Sequence, residues 1–374
     1  MTERLVARLL TDFGEIERLW SDAPAVHGAP QSLEWIGGWH RAVNADSFVA
    51  GIFTDDCPVL LVPLEVVSRN GAKIARYPGG SHANCNFPWV LAGNAGTPDR
   101  DALQRMVGAI RQARPDIDAL SLTRQFADLQ GVKNPLLALG AKRNPNPVLA
   151  ASLGGGFDSV LERSNRRRKL KKHRQHGRRY EESGGWRIAG PQDRAASDAI
   201  LDLYFTMKAH RFRQMGIRDP FADENVRRFF KTLFGEGLAK GQELSELRFL
   251  DVGGTIRSIV GKLYSDTGPT VEFSAIADDE LITASPGEFL FFEDIRRSCE
   301  EGRSIYGFGI GDEPYKREWC DIELAIYDTL LPLTAKGRVF TAAQMARNAL
   351  AGAVKRNPRL WSLARSLRSK LARS

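Results

Sequence analysis

The chain has 374 residues, of which 43% are apolar and 26% are charged. This composition is typical of a soluble globular protein and excludes a mainly disordered or fibrous chain. No stretch reaches the roughly 18 consecutive apolar residues of a transmembrane helix, and the first residues do not resemble a secretion signal, so we expect a cytoplasmic protein. At about 150 residues per domain, the length predicts two or three domains.

The net charge of +8 is unevenly distributed. Residues 163–179 contain ten Lys or Arg and no acid, and residues 329–374 contain ten more, again with no acid. The rest of the chain is therefore net acidic, so the overall charge does not predict nucleic-acid binding. The cysteines have no C-x-x-C spacing and are expected to be reduced thiols rather than disulfides or zinc ligands. They are Cys57, Cys85, Cys299 and Cys320.

The first half of the sequence predicts an antiparallel meander followed by a helix and a buried strand. Apolar runs separated by turn signals predict three strands, at 48–53, 58–67 and 72–77. Apolar residues at helical spacing predict a helix from Pro98-Asp99 to about Ala113, and a strand is expected at 119–122.

The second half repeats this order of elements. After the breaker Asn144-Pro145-Asn146-Pro147 and the basic run, the pattern predicts a strand at 186–188 and helices at 193–215 and 222–238. The meander, the helix and the final strand then recur, at 247–252, 255–264, 269–276, 286–301 and 304–308. Because five elements match in order, we predict two similar α/β halves, at 1–150 and 151–335, and a basic amphipathic helical tail at 336–374.

The element order and several motifs resemble the acyl-CoA N-acyltransferase (GNAT) fold. The motifs are Asn165-Arg166-Arg167-Arg168-Lys169-Leu170, Lys208-x-x-Arg211-Phe212-x-x-x-Gly216, Ser285-Pro286-Gly287 and Gly311-Asp312-Glu313-Pro314-Tyr315-Lys316-Arg317-Glu318-Trp319-Cys320. They are similar to the FemAB-like or CelD-like branch, the cellulose-biosynthesis-type acetyltransferases. The resemblance is good from about Phe157 to Leu331, and it departs from the branch at Gly307, where relatives usually have Asp.

This resemblance implies tandem GNAT-like halves, each a mostly antiparallel sheet flanked by helices. It also implies transfer of an acyl group, expected to be acetyl, from acetyl-CoA or another acyl-CoA to an amine, without a metal. The acceptor is expected to be a small molecule such as an amino sugar or another envelope or polysaccharide precursor. We expect the N-terminal half to shape the acceptor cleft and the C-terminal half to hold the donor.

The start of the predicted helix at 286–301 is the candidate donor site. A glycine there lets backbone N–H groups approach a phosphate, and the helix dipole places about +0.5 charge at this end. The position corresponds to the CoA pyrophosphate site of GNAT enzymes, although Glu288 in the first turn works against an anion. The equivalent helix start in the first half carries Asp99, which disfavours a phosphate. The predicted donor-binding residues are Ser285, Pro286, Gly287, Glu288 and Phe289.

Acylation of an amine requires a base for the amine proton and benefits from an acid for the leaving thiolate. The predicted bases are Glu272, on the strand before the donor loop, and Asp312 or Glu313, after the last strand. Tyr315 or Tyr264 is the predicted acid. Basic side chains suit the oxygens of an anionic acceptor, and those predicted to orient it are Lys208, Arg211 and Lys316.

Two other functions remain open from the sequence. The first is aminoacyl transfer from charged tRNA, as in the related FemABX peptidyltransferases, which the cationic segment 163–179 permits. The second is a non-catalytic basic adaptor of a polysaccharide synthase. Leucines at helical spacing between Leu360 and Leu371, with Trp361 and several cations, are compatible with peripheral contact with an anionic membrane surface.

Overall fold

The computed structural model describes residues 5–93, 98–241, 244–265 and 268–356, apart from the side chains of residue 349 and residues 351–356. The described chain divides into two compact units. The first joins the residues up to Pro145 with those from Ala325 onward, and the second spans Asn146–Leu324. The C-terminal stripe between Leu360 and Leu371 lies outside the described residues.

Eighteen strands are present in the described chain. They are β1 Val6–Leu10, β2 Ala25–Val26, β3 Ser47–Thr54, β4 Cys57–Arg69, β5 Ala72–Arg76, β6 Trp89–Leu91, β7 Ala119–Phe126, β8 Asp128–Leu129, β9 Val132–Lys133, β10 Lys142–Arg143, β11 Val148–Ser152, β12 Trp186–Ala189, β13 Ser245–Val252, β14 Thr255–Ser265, β15 Gly268–Ile276, β16 Ile305–Ile310, β17 Ile322–Leu324 and β18 Ile326–Pro332.

Ten α-helices accompany these strands in the described residues. They are α1 Phe13–Ser21, α2 Leu33–Ala42, α3 Arg100–Ala113, α4 Gly156–Arg163, α5 Arg166–Glu182, α6 Arg194–Met215, α7 Glu224–Ala239, α8 Pro286–Glu300, α9 Pro314–Arg317 and α10 Ala335–Arg356. The elements predicted at the two meanders and after them are all present, with ends that differ by a few residues.

The two sheets have the same strand order. In the first unit it is β1-β3-β4-β5-β7-β18-β10, with β2 and β6 added at β4, and in the second it is β12-β13-β14-β15-β16-β11-β17. In each sheet an antiparallel meander is followed by one parallel pair, β5 with β7 and β15 with β16, and then by antiparallel strands. The prediction of two similar α/β halves is therefore confirmed at the level of topology.

The unit boundaries differ from the predicted division at 150/151 and 335/336. Strand β11 lies between β16 and β17 in the second sheet, and β18 lies between β7 and β10 in the first. Each sheet is thus completed by a strand that the linear order assigns to the other half. In these positions β11 and β18 pair with a strand on each edge, which satisfies their backbone groups on both sides.

Helix α10, expected as part of a separate tail, belongs to the first unit. Its first turn lies so close to the sheet that a Cβ at Gly337 would be 1.7 Å from the backbone oxygen of Asp118. The Thr334 hydroxyl donates to an Asp118 carboxylate oxygen at 2.7 Å and accepts from the Gly337 N–H at 3.0 Å. A glycine is required at this approach, which seats the helix on the sheet.

The second unit has a core on each face of its sheet. On one face α4, α5 and α8 bury a cluster that includes Tyr180, Phe289 and Phe292. On the other, Tyr204 of α6 lies 4.2 Å, centroid to centroid, from Phe273 of β15, within a larger aromatic cluster.

Among the described residues, none of the helices combines the length and apolarity that a membrane crossing requires. The four cysteines form no disulfide.

Candidate active site

The parallel pair in the second sheet separates almost as soon as it forms. Strands β15 and β16 are paired at Thr270 and Gly307, whereas β5 and β7 in the first sheet pair over three positions, from Ile74 with Ala119 to Arg76 with Ser121. A Cβ at Gly307 would lie 2.5 Å from the Thr270 hydroxyl, so a larger residue would not fit here without a shift of Thr270. Beyond this point the described residues of β15 and β16 are not paired with each other, which leaves backbone groups on their facing edges that an extended ligand with amide groups could bind.

Helix α8 begins beside this opening without a side-chain cap. Ser285 precedes it in the left-handed region, at φ 51°, and its side chain makes no capping hydrogen bond. The first intrahelical bond runs from the N–H of Phe289 to the Ser285 carbonyl, so the N–H groups of Gly287 and Glu288 have no intrahelical acceptor. In contrast, Asp99 caps α3 in the first unit by accepting from the Ala102 N–H at 2.7 Å.

Glu288, in the first turn of α8, is held by two lysines of α5. Its carboxylate oxygens lie 3.4 Å from Nζ of Lys169 and 3.2 Å from Nζ of Lys172. Lys169 is buried, with its ammonium 3.7 Å from the Trp319 ring centroid and 3.3 Å from Glu318. Burial lowers the pKa of Lys169, while the two carboxylates oppose that effect. The negative charge of Glu288 is thus offset where an anion would approach the helix.

The flank of α8 that faces α5 is closed. His173 stacks on Phe289 and Phe292, at centroid distances of 4.5 and 4.0 Å, and its Nε2 lies 2.6 Å from a carboxylate oxygen of Glu293. The space left there is about 10 Å³, room for a single water molecule. A donor at the α8 start would therefore have to lie on the β15–β16 side.

Glu272 is the extra residue of a β-bulge. The register between β14 and β15 passes from Gly261 with Phe273 to Lys262 with Val271, so Glu272 is the additional residue on β15 at this shift. Bulges bend a strand and redirect a side chain, and they occur often beside active sites. The corresponding strands of the first unit, β4 and β5, pair without a register shift.

Tyr204, which the sequence did not single out, lies near Glu272. Its side chain is fully buried, and its hydroxyl has no hydrogen-bond partner in the described part of the chain. Burial raises the pKa of Tyr204 well above its ordinary value, and the charges of Glu272 and Asp219 raise it further. A buried, unbonded hydroxyl is uncommon and costs stability, which makes it a candidate for ligand contact.

Two of the predicted acceptor-binding residues lie on α6, the helix of Tyr204. Burial lowers the pKa of Lys208, Arg211 lowers it further and Asp219 opposes the change. The Lys208 ammonium lies 5.2 Å from the Phe212 ring centroid, and Arg211 is exposed. Glu272, Lys208 and Arg211 are therefore brought to the α6 side of β15.

The predicted residues after β16 interact mainly with one another. A hydrogen bond from Arg317 lowers the pKa of Asp312. Lys316 donates to the Ile310 carbonyl at 2.8 Å and lies 2.9 Å from Glu313, so its ammonium is occupied within the loop. The hydrogen bond from Arg317 makes Asp312 a weak base.

Tyr315 has a different environment. Its ring packs against Phe291 of α8 and Phe308 of β16, at centroid distances of 5.9 and 6.3 Å, yet 43% of the residue is exposed. Partial burial raises the pKa of Tyr315 to about 12, and Glu313 adds to the rise. The phenol stays protonated at neutral pH and can donate a proton. Tyr264, the alternative acid, donates instead to Glu246 at 2.7 Å.

Four of the nine Lys and Arg residues of the basic helix α5 form ion pairs with the unit's own acids. Arg166 contacts Asp158 and Arg168 contacts Glu318, both within 3 Å, besides the lysine pairs with Glu288. Arg179 donates to Thr283 and to the Glu280 carbonyl.

The described residues contain no group of three or more His, Cys, Asp or Glu side chains suited to a metal ion.

Comparison with known proteins agrees with this architecture. Residues 164–317, which lie in the second unit, match the family model of the acetyltransferase (GNAT) domain. No curated protein matches the sequence significantly.

Several solved structures share the fold. The structure of FemX aligns with a TM-score of 0.54 at 10% identity, over 86% of this chain and 96% of FemX. A conserved protein of unknown function from Bacteroides thetaiotaomicron aligns with a TM-score of 0.54 at 13% identity, over 86% of this chain and 97% of that one. The C-terminal DUF2156 domain of an Agrobacterium fabrum protein assigned as a lysylphosphatidylglycerol synthetase aligns with a TM-score of 0.50 at 13% identity, over 89% and 97%.

These likenesses concern the fold alone, because the identities are low. Together with the family match, they confirm the prediction of tandem GNAT-like halves, each a mostly antiparallel sheet flanked by helices. Residues 164–317 of the second unit are therefore similar to the acetyltransferase (GNAT) domain, a fold that normally uses acyl-CoA.

Proposed function

We propose that this protein is an N-acyltransferase that transfers an acyl group from acyl-CoA to the amine of a small molecule, with the reaction centre in the second unit. The divergence of β15 and β16 after Thr270 and Gly307, next to the uncapped start of α8, carries the proposal. The first unit lacks this combination: its parallel pair is longer and its helix start is capped by Asp99.

The donor would be held by backbone groups. The N–H groups of Gly287 and Glu288 and the helix dipole suit a phosphate, and Lys169 and Lys172 offset the nearby Glu288 carboxylate. The open edges of β15 and β16 suit the amide groups of a pantetheine arm. In this proposal the thioester end of the donor would lie toward β16 and Tyr315.

The acceptor amine must lose a proton during attack. Glu272, redirected by its bulge, is the proposed base, and general bases contribute typically ~10² to 10⁴ in rate. Tyr315, protonated at neutral pH, is the proposed donor of a proton to the leaving thiolate. Lys208 and Arg211 would orient an acceptor that carries anionic or hydroxyl oxygens. The resemblance to the CelD-like branch points to an amino sugar or another envelope precursor.

The donor site is tested by isothermal titration calorimetry of the full chain with CoA and acetyl-CoA. Gly287→Asp adds a carboxylate beside the exposed N–H groups, so affinity should fall at least about tenfold. Asp99→Asn is the matched control in the first unit, because Asn caps a helix as well as Asp does, and affinity should not change.

Two results would contradict the donor assignment. One is no binding of either thioester ligand to the unaltered chain, together with tight and steeply salt-dependent tRNA binding, which would indicate a tRNA donor. The other is unchanged affinity in Gly287→Asp. If CoA or acetyl-CoA binds as expected, thiol release from acetyl-CoA is measured with a panel of amino sugars and other amines to identify the acceptor.

A further inference from the structure

A cavity of about 200 Å³ lies within the first unit, away from any residue assigned above. Its floor is one face of the sheet, where β4, β5, β7 and β18 contribute side chains such as Ile74 and Ser121. Helix α10 forms a wall with Phe340, Gln344 and Asn348. This is the face of the sheet that α10 covers, where Ile74 and Ala119 pack near Phe340.

The charge of the cavity is positive. Among the described residues that line it are three arginines, Arg69, Arg76 and Arg124, and one acid, Asp328. Both oxygens of Asp328 already accept hydrogen bonds, from the Arg124 N–H at 2.8 Å and from Asn144 Nδ2 at 2.7 Å. The Asp328 carboxylate is therefore already engaged within the protein, and its repulsion of a bound anion is reduced.

The position of Arg124 depends on local strain. It adopts φ 57°, in the left-handed region that non-glycine residues rarely occupy. A register shift between β7 and β18 accompanies this backbone, and the Arg124 N–H donates to the side chain of Asp328 on β18 instead of to a backbone carbonyl of that strand. The guanidinium donates to the carbonyls of Ser81 and Ala83, at 3.0 and 3.1 Å, and so fixes the loop at the cavity wall. Such outliers gather at functional sites.

Arg76 is also held in place. Its Nε donates to the buried Glu65 at 3.0 Å, and its guanidinium lies beside Gly80, where a Cβ would be 2.5 Å from Cζ. Glu65 also accepts from Trp39 Nε1 and Asn44 Nδ2, at 2.9 and 3.0 Å, so its charge is shared among several donors. Gly80, itself at φ 50°, leaves the space that the guanidinium needs.

We propose that this cavity is a binding site for a small ligand with a phosphate or carboxylate group. Guanidinium groups match the geometry of such oxyanions, and the hydroxyls of Ser121 and Thr123 with the amides of Gln344 and Asn348 supply further hydrogen bonds. The volume suits one oxyanion with a short organic part rather than a nucleotide. This site does not depend on acyl transfer in the second unit.

Calorimetry of the full chain at constant ionic strength tests the proposal with three probes: inorganic phosphate, glycerol 3-phosphate and malonate. At least one should bind. Gln344→Glu and Asn348→Asp, which are nearly isosteric and add a negative charge to the lining, should each weaken binding about tenfold. Arg69→Glu, at an exposed side chain, should do the same. Circular dichroism reports whether each variant keeps its fold.

Two controls locate the effect. Arg111→Glu makes the same charge reversal at an exposed side chain of α3 in the first unit and should leave the affinity for the probes unchanged. Gly287→Asp, in the second unit, should also leave it unchanged. Preference for the phosphates or for malonate identifies the group recognised, and either supports the site. Absence of binding by all three probes, equal affinity in the lining variants and Arg111→Glu, or loss of binding only in Gly287→Asp would overturn the proposal.

Discussion

The Glu272 carboxylate contributes to the raised pKa of Tyr204, whose buried hydroxyl has no hydrogen-bond partner among the described residues. The two groups come from α6 and from the bulge of β15. A hydroxyl and a carboxylate in this relation can both contact an acceptor amine. The first two predictions separate their contributions.

Glu272→Gln should lower turnover by about 10²- to 10⁴-fold, because the amide cannot accept the amine proton. The affinity for CoA, measured by calorimetry, should stay the same since the donor contacts lie at α8. Asp312→Asn is the control, and it should change turnover little, because Arg317 already holds that carboxylate. A larger loss of turnover in Asp312→Asn than in Glu272→Gln would exchange their roles.

Tyr204→Phe should lower turnover by about tenfold without loss of stability. Removing a buried hydroxyl that has no partner in the described part of the chain relieves its desolvation cost, so the free energy of unfolding should be unchanged or higher by about 1–2 kcal/mol. Tyr180→Phe is the matched comparison, because the Tyr180 hydroxyl donates to the Ala284 carbonyl at 2.7 Å. That variant should lose about 1–2 kcal/mol in urea unfolding. Equal destabilisation in both variants would indicate that the Tyr204 hydroxyl is bonded in solution.

The stability of the second unit should fall in acid through Glu246. This buried carboxylate lies 2.8 Å from Lys262 and accepts from Arg297 and Tyr264. Burial alone would raise the pKa of Glu246, but Lys262 and these hydrogen bonds lower it from 4.5 to about 2. Because the folded-state pKa is depressed, the contribution is present above about pH 4.5 and is lost as the pH falls toward 2, by about 3 kcal/mol.

Urea unfolding at about pH 6 and about pH 3 measures this loss. Glu246→Gln should be less stable at the higher pH and should show a smaller decline between the two values. A decline of the same size in Glu246→Gln and in the unaltered chain would assign the acid sensitivity to other groups.

Gly307→Ala should destabilise the protein by about 1–3 kcal/mol, because the new Cβ would lie 2.5 Å from the Thr270 hydroxyl. Adding Thr270→Ala removes the hydroxyl and the methyl and should recover part of the loss. A double-mutant cycle measures the coupling. Additive effects would mean that this contact does not set the β15–β16 separation.

Local patterns in the sequence determined most of the elements. Helical spacing and turn signals located both meanders, the helices α3, α6, α7 and α8 and the donor candidate at 285–289, because such patterns depend on neighbouring residues. The first-half helices α1 and α2 were missed, although Asp12 and Ser32 cap them and Trp20 and Trp35 lie on buried faces. The capping residues were the signal that could have found them.

Other features were decided only by tertiary structure, because they depend on residues far apart in the chain. The exchange of β11 and β18 between the sheets requires hydrogen bonds over more than a hundred residues. The bulge at Glu272 depends on the register with β14, and the pairing of Lys169 with Glu288 depends on how α5 packs on α8. The sequence could therefore identify Glu272 and Lys169 only as charged residues, whereas packing puts Glu272 at a bulge and makes Lys169 a buried partner of Glu288 on α8.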